Sequence, residues 1–180
     1  SDLSANSASN ITYLLGFSAA NATNANASGM NDAQLTSLSN GIGKINVISS
    51  LTLTNAQSVT EISNLLSRAT NALATATGMN AAKLSALGAG YASIAANGIT
   101  GTLAIDVAVT NLGSLLSKTA VAATVNVDAT GFDAAGKGTL ASQISKVDTI
   151  ANLALASSED AGEITARSEE HTSELQSPYV

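Results

Sequence analysis

The sequence predicts an α/β repeat solenoid with one parallel sheet and one layer of helices, built from strand–helix units of about 25 residues. Three observations carry that expectation. "SGMNDAQLTSL" from Ser28 returns as "TGMNAAKLSAL" from Thr77 and as "TGFDAAGKGTL" from Thr130. A second motif alternates with it, as "NITYLLGFSAA" from Asn10, "EISNLLSRA" from Glu61 and "NLGSLLSKTA" from Asn111. Between the two motifs lie short stretches whose apolar residues alternate with a period of two, as in half-buried strands.

The spacings agree across copies. Gly29 and Gly78 are 49 apart, Gly78 and Gly131 are 53, and Ile11 and Ile62 are 51. An ungapped register of 102 lays "IGKINVISSLTLT" from Ile42 over "ISKVDTIANLALA" from Ile144, and carries Gly29 to Gly131 and Glu61–Ile62 to Glu163–Ile164. Self-similarity at fixed period is duplication, and each period of about 50 residues holds two strand–helix units.

Along the chain the elements justify themselves in turn. Asn31, after Gly29, stands where a helix N-cap belongs, ahead of Leu35, Leu38 and Ile42 at helical spacing. "LTLT" (Leu51 to Thr54) is a strand, followed by a helix with Ile62, Leu65, Leu66 and Ala69 on one face. "LATAT" (Leu73 to Thr77) is the next strand, and Asn80 caps a helix with Leu84, Leu87 and Tyr91 on one face. "VNVDAT" (Val125 to Thr130) leads to Asp133 as the third cap, and "LALA" (Leu153 to Ala156) closes the series. An all-helical array would suit the alanine content. The repeated glycine breaks and the alternation in the strands argue against it.

In this geometry no unit buries its own apolar side. Leu51, Leu53, Leu73, Val125, Val127, Leu153 and Leu155 are expected to point inward and stack between neighbours. Thr52, Thr54, Ala74, Ala76, Asn126, Asp128, Ala154 and Ala156 are expected on the open face of the sheet, where the alanines interrupt any threonine or asparagine ladder.

Composition bounds the function. The 180 residues are 45% hydrophobic but only 3% aromatic and 11% charged, with 14 glycines, no cysteine and a net charge of −6. A chain this acidic lacks the cations that neutralise phosphates, so nucleic acid is set aside as a partner. Without cysteine there are no disulfides, thiolate chemistry or cysteine-held zinc. No apolar run approaches the roughly 18 residues of a membrane-spanning helix, and residues 1–30 show no basic start with an apolar stretch.

Chemistry is sparse. The single histidine, His171, lies in "RSEEHTSELQS" (Arg167 to Ser177), a stretch that resembles the translation of a common adapter ligated to DNA fragments for short-read sequencing. On that resemblance residues 167–180 are a non-native tail, residues 1–166 are the fragment of the solenoid, and no histidine-based triad can be built. Asp128 and Asp133 flank the turn "DATGFD", and Glu159, Asp160 and Glu163 cluster at a helix start. Asp133 takes the place of Asn31 and Asn80, which marks it as a cap, and acidic residues at a helix start favour the helix dipole. Calcium would need ligands that repeat with the fold, and Asp128 falls on Asn26 and Thr75 in the other copies. "GAG" (Gly88 to Gly90) and "GKG" (Gly136 to Gly138) lack the spacing and the Lys-Ser/Thr ending of a phosphate loop and lie within expected helices, where they weaken the helix or permit close packing. No catalytic, cofactor-binding or metal-binding residue is assigned.

"DATGFDAAG", "KVDTIANLALA" and "LTNAQSVTEISNLLSRA" resemble the Ala/Thr/Asn-rich arrays of very large repeat proteins of Gram-negative bacteria and cyanobacteria. The resemblance covers about residues 10–166. "ISSLTLTN" (Ile48 to Asn55) is similar to the strand and turn of leucine-rich repeats, with its Asn one residue early. The resemblance implies an extracellular or cell-surface, adhesin-like protein. The expected function is therefore a non-enzymatic structural or adhesive segment of a large bacterial extracellular protein, with neighbouring repeats as partners and end-to-end self-association. The alternative is a binding module whose sheet face recognises a repetitive surface, glycan or ice.

Overall fold

The computed structural model describes residues 3–154. Strands and helices alternate in the order α1 (Ala8–Phe17), β1 (Thr23–Asn26), α2 (Asp32–Asn40), β2 (Ile45–Ser49), β3 (Thr52–Leu53), α3 (Val59–Leu66), β4 (Ala72–Thr75), α4 (Ala81–Ala89), β5 (Ile94–Thr100), β6 (Thr102–Ile105), α5 (Leu112–Lys118), β7 (Thr124–Asp128), α6 (Ala134–Ser142) and β8 (Thr149–Ala151). Every paired strand is parallel to its neighbour, and strands pair in chain order. The helices follow suit, each from α1 to α6 packing on the next. The result is α/β, with parallel sheets that do not close into a barrel.

The expected single sheet is divided among the described residues into three: β1-β2, β3-β4-β5 and β6-β7-β8. The physical reason is one left-handed residue at each of the two boundaries, Ser50 at φ +55° and Gly101 at +84°, a conformation costly for residues with a Cβ and tolerated best by Gly and Asn. Asn152, at φ +57°, takes the same conformation directly after β8. Ahead of each corner the chain pairs with the preceding unit, as β2 does with β1 and β5 with β4. After it, β3 and β6 pair with the following unit instead. Single bridges, Ile48 with Ala69 and Ile99 with Thr119, carry the hydrogen bonding across the boundaries. The three corners are 51 residues apart, so the backbone repeats with the period of the sequence.

Local chemistry fixes the helix starts as expected. Asn31, Asn80 and Asp133 are the N-caps of α2, α4 and α6, and their side chains accept from the backbone N–H of Gln34, Lys83 and Gly136. Each follows a glycine in the left-handed region, at φ +69° (Gly29), +79° (Gly78) and +80° (Gly131). These three helices run on into short 3₁₀ turns, Ile42–Lys44, Tyr91–Ser93 and Ile144–Lys146. The intervening α1, α3 and α5 do not, so the two motifs of the sequence become two kinds of helix. Tyr91 accordingly leaves the expected helical face and is exposed.

The core is a continuous cluster of small and aliphatic side chains between the strands and the helices. Leu51, Leu53, Val125 and Val127 are buried as expected, as are Leu35, Leu38, Leu84, Leu87, Ile62, Leu65 and Leu66. β4 is shifted by one residue from expectation. Leu73 is 49% exposed, whereas Ala74 is 1% exposed and Ala72 and Ala76 are buried. Ala74 lies in register with Leu53 on one side and Ile99 on the other. Two large aliphatics already fill the layer there, so the strand turns its alanines in and its leucine out, the small-beside-large arrangement that close packing favours. Glycine does the same between helices: a Cβ at Gly90 would stand 2.5 Å from Leu66 Cδ1, and one at Gly88 would stand 2.9 Å from the Asn111 carbonyl oxygen.

Two strands lie where none was named from the sequence, and one further strand expectation needs correction. β2 and β5, "INVIS" and "IAANGIT", lack clean alternation; β5 is bulged, with Asn97 at φ +54° and its register to β4 shifted between Ala72 and Ala74. In the "LALA" stretch the pairing falls earlier, on Thr149–Ala151, and Leu153 and Ala154 follow the Asn152 corner outside any strand. Leu155, Ala156 and the tail at 167–180 lie outside the described residues.

Candidate functional site

Of the carboxylates singled out from the sequence, Asp128 and Asp133 serve local structure. Asp128 Oδ1 accepts from Thr130 Oγ1 at 2.7 Å, Asn152 Nδ2 at 3.0 Å and the Thr130 backbone N–H at 3.0 Å. These bonds, the Thr130 hydroxyl foremost, hold its carboxyl below the ordinary range. Asp133 accepts the Gly136 N–H at 2.8 Å as a helix cap. Each acid serves its own turn, and the two do not form a paired acid–base site. Glu159, Asp160, Glu163 and His171 lie outside the described residues. Among the described residues no three His, Cys, Asp or Glu come together to hold a metal ion.

Glu61 is the other perturbed carboxyl. Thr36 of α2 donates its hydroxyl to Glu61 Oε1, the Ser58 backbone N–H donates to Oε2 at 2.7 Å, and together they lower its pKa from the ordinary 4.5. The Thr36 bond is the largest cause, so the group that completes the capping box of α3 also ties α3 to α2.

Lysines are used in the same way, a role that the sequence reading missed. Lys44 Nζ donates to the Ser18 carbonyl at 2.9 Å, and Lys146 Nζ to the Thr119 carbonyl at 2.7 Å. Ser18 and Thr119 are the C-caps of α1 and α5, so both bonds satisfy a helix end with a cation where the dipole is negative. The register that places "IGK" over "ISK" was the signal for this pairing. Lys137 Nζ donates to the Ala154 carbonyl, so the lysine of "GKG" ties α6 to the segment that follows β8.

Grooves open between successive helices. One of about 350 Å³ is lined by Ser63, Leu66, Ser67, Ala86, Ala89 and Gly90. A second, of about 240 Å³, is lined by the equivalent Thr12, Leu15, Gly16, Ser37, Asn40 and Gly41, together with Lys44. Recurrence at the same repeat position, with small uncharged linings in the first, marks these grooves as a product of seating leucine over glycine.

The exposed side of the sheets is the surface best placed for contact with a ligand. The shift in β4 changes its chemistry: Ala74 and Ala76 leave it, and Thr75 and Thr77 join it. Thr75 then pairs with Thr100, Thr102 with Thr124, and Asn126 with Thr149. Thr149 Oγ1 donates to Asn126 Oδ1 at 2.7 Å, and Asn46 Nδ2 donates to Asn24 Oδ1 at 2.9 Å. Leu73 beside Thr52 and Ala104 beside Asn126 interrupt the rows.

Among the described residues no helix is long and apolar enough to cross a membrane. Comparison with known proteins finds no family model, no curated protein and no solved structure that matches this chain.

Proposed function

We propose that the chain is a segment of an α/β solenoid, similar in architecture to leucine-rich repeats, that serves as a non-enzymatic spacer or adhesive stalk within a large bacterial extracellular protein. The observation that carries this reading is the left-handed corner repeated every 51 residues at Ser50, Gly101 and Asn152; at the first two the chain passes from pairing with the unit behind to pairing with the unit ahead. A unit built this way is stable through its neighbours, and the natural product is a long, stiff array. Polar side chains support the same reading, since the perturbed carboxyls and the lysines Lys44 and Lys146 hold turns and helix ends together.

The threonine pairs favour a second reading, in which the exposed sheet side recognises a repetitive surface such as glycan or ice. Binding of the immobilised protein to an array of glycans, together with its effect on ice recrystallisation, separates the two. A spacer is inert in both. Activity in either that disappears in Thr75→Lys and Thr102→Lys, while Thr60→Lys on the exposed side of α3 retains it, would replace the spacer reading with the binding module.

A further inference from the structure

The lysines that hold helix ends mark a place that the middle copy leaves without one. Lys44, Ser93 and Lys146 are each the last residue of a 3₁₀ turn, Ile42–Lys44, Tyr91–Ser93 and Ile144–Lys146. Ser18, Ala69 and Thr119 correspond in the same way after α1, α3 and α5, since each backbone N–H donates to the carbonyl of a leucine, Leu15, Leu66 or Leu116. Lys44 Nζ donates to the Ser18 carbonyl at 2.9 Å, and Lys146 Nζ to the Thr119 carbonyl at 2.7 Å. Ser93 is too short to do the same for the Ala69 carbonyl.

Among the described residues no group donates to that carbonyl, although Ala69 is only 8% exposed. A buried acceptor without a donor is costly, and this one stands at the negative end of the α3 dipole. Beside it runs the groove of about 350 Å³ between α3 and α4. Leu66 and Gly90 line that groove as Leu15 and Gly41 line the one of about 240 Å³ between α1 and α2, with Ser93 where the smaller groove has Lys44. Seating leucine over glycine makes both grooves. The middle one differs in having neither a lysine stem nor its ammonium.

We propose that this groove binds a linear primary alkylammonium ion from outside the chain, its head donating to the Ala69 carbonyl in the place that Lys44 and Lys146 take in the other copies. Leu66, Ala86 and Ala89 line the groove and suit an apolar stem, as apolar surface suits the stem of a lysine. The head meets an acceptor, the negative end of a helix and a chain of net charge −6. Arg68, next to Ala69, is compatible with a second cation there. Lys118 stands in the same place before Thr119, and Lys146 still reaches that carbonyl. The groove lies between helices, so the site is independent of what the sheet side does and goes beyond both the spacer and the binding module.

Titration of the isotope-labelled full chain in phosphate buffer, followed by its amide NMR signals, tests the site. n-Butylammonium should give saturable shifts at Ala69, Gly90 and Ser93. n-Butyltrimethylammonium, equal in charge but without N–H donors, should bind about tenfold or more weakly, the loss of one charge-assisted hydrogen bond. Ser93→Lys should abolish the response, because its own ammonium takes the place. Lys44→Ser should add a second set of saturable shifts, at Ser18 and Gly41. No saturable response in the wild type, equal binding of the two ions, or a response that persists in Ser93→Lys would overturn the proposal. A folded Lys44→Ser whose Ser18 signal does not respond would overturn it too, by breaking the equivalence on which the site rests. Should Lys44→Ser fail to fold, the wild type and Ser93→Lys decide alone.

Discussion

Placing an aspartate at Ala74, and separately at Leu73, moves the same charge by one residue along β4 and from inside to outside. Ala74 is 1% exposed, between Leu53 and Ile99 in the strand register. At pH 7 a carboxyl there must stay charged in an apolar layer or take up a proton. Protonation alone spans roughly three pH units above its free pKa, at about 1.4 kcal/mol each, or about 4 kcal/mol. Crowding against Leu53 and Ile99 adds about 1–3 kcal/mol. Leu73 is 49% exposed, so its replacement forfeits about half of a leucine's burial, about 1 kcal/mol, and buries no charge. In urea titrations Ala74→Asp should remove most of the stability of a domain of this size, about 5–15 kcal/mol, while Leu73→Asp keeps a cooperative transition with a slightly lower midpoint. A larger loss for Leu73→Asp would reverse the register. Equal losses would mean that β4 has no inner and outer side.

Three other outcomes follow from the same packing. Gly90→Ala should destabilise by about 1–3 kcal/mol through the clash with Leu66 Cδ1, whereas Gly16→Ala, which meets nothing within 4 Å in α1, should stabilise by about 0.5–1 kcal/mol; thermal unfolding reads both signs. Asn80→Ala should cost about 1 kcal/mol and Asn80→Asp much less, since Asp133 already caps α6 in that role. Glu61 and Asp128 have pKa values lowered from 4.5 and 3.8, so their contribution is complete above those values and is lost as pH falls through the lower folded ones. The urea midpoint should therefore drop on acidification below about pH 4.5, and Glu61→Gln should flatten that drop.

What could be read from the sequence was whatever one residue type decides locally. Asn31, Asn80 and Asp133 had to cap because each combines a short acceptor side chain with a preceding glycine turn. The leucine pairs of α3 and α5 had to face the core because helical periodicity leaves them one side. The phase of β4 could not be read this way, since "NALATAT" alternates equally well in either phase and the choice is made by the volumes of Leu53 and Ile99 across the sheet. The division into three sheets was hidden because Ser50 and Gly101, the corners at its two boundaries, share a backbone conformation and no side chain. At the candidate surface the consequence was direct: with β4 out of phase, Ala74 and Ala76 were expected outside, and the Thr75–Thr100 pair went unseen.

The central claim is that units add along one axis with a period of 51 residues. Inserting a second copy of residues 51–101 directly after Gly101 joins a corner residue to the strand that follows a corner, and so adds two strand–helix units in register. Small-angle X-ray scattering should then show a molecule longer by about two strand spacings, about 10 Å, with its cross-sectional radius unchanged. A cross-section that grows without that lengthening would contradict the account and favour a closed domain over a stacked array.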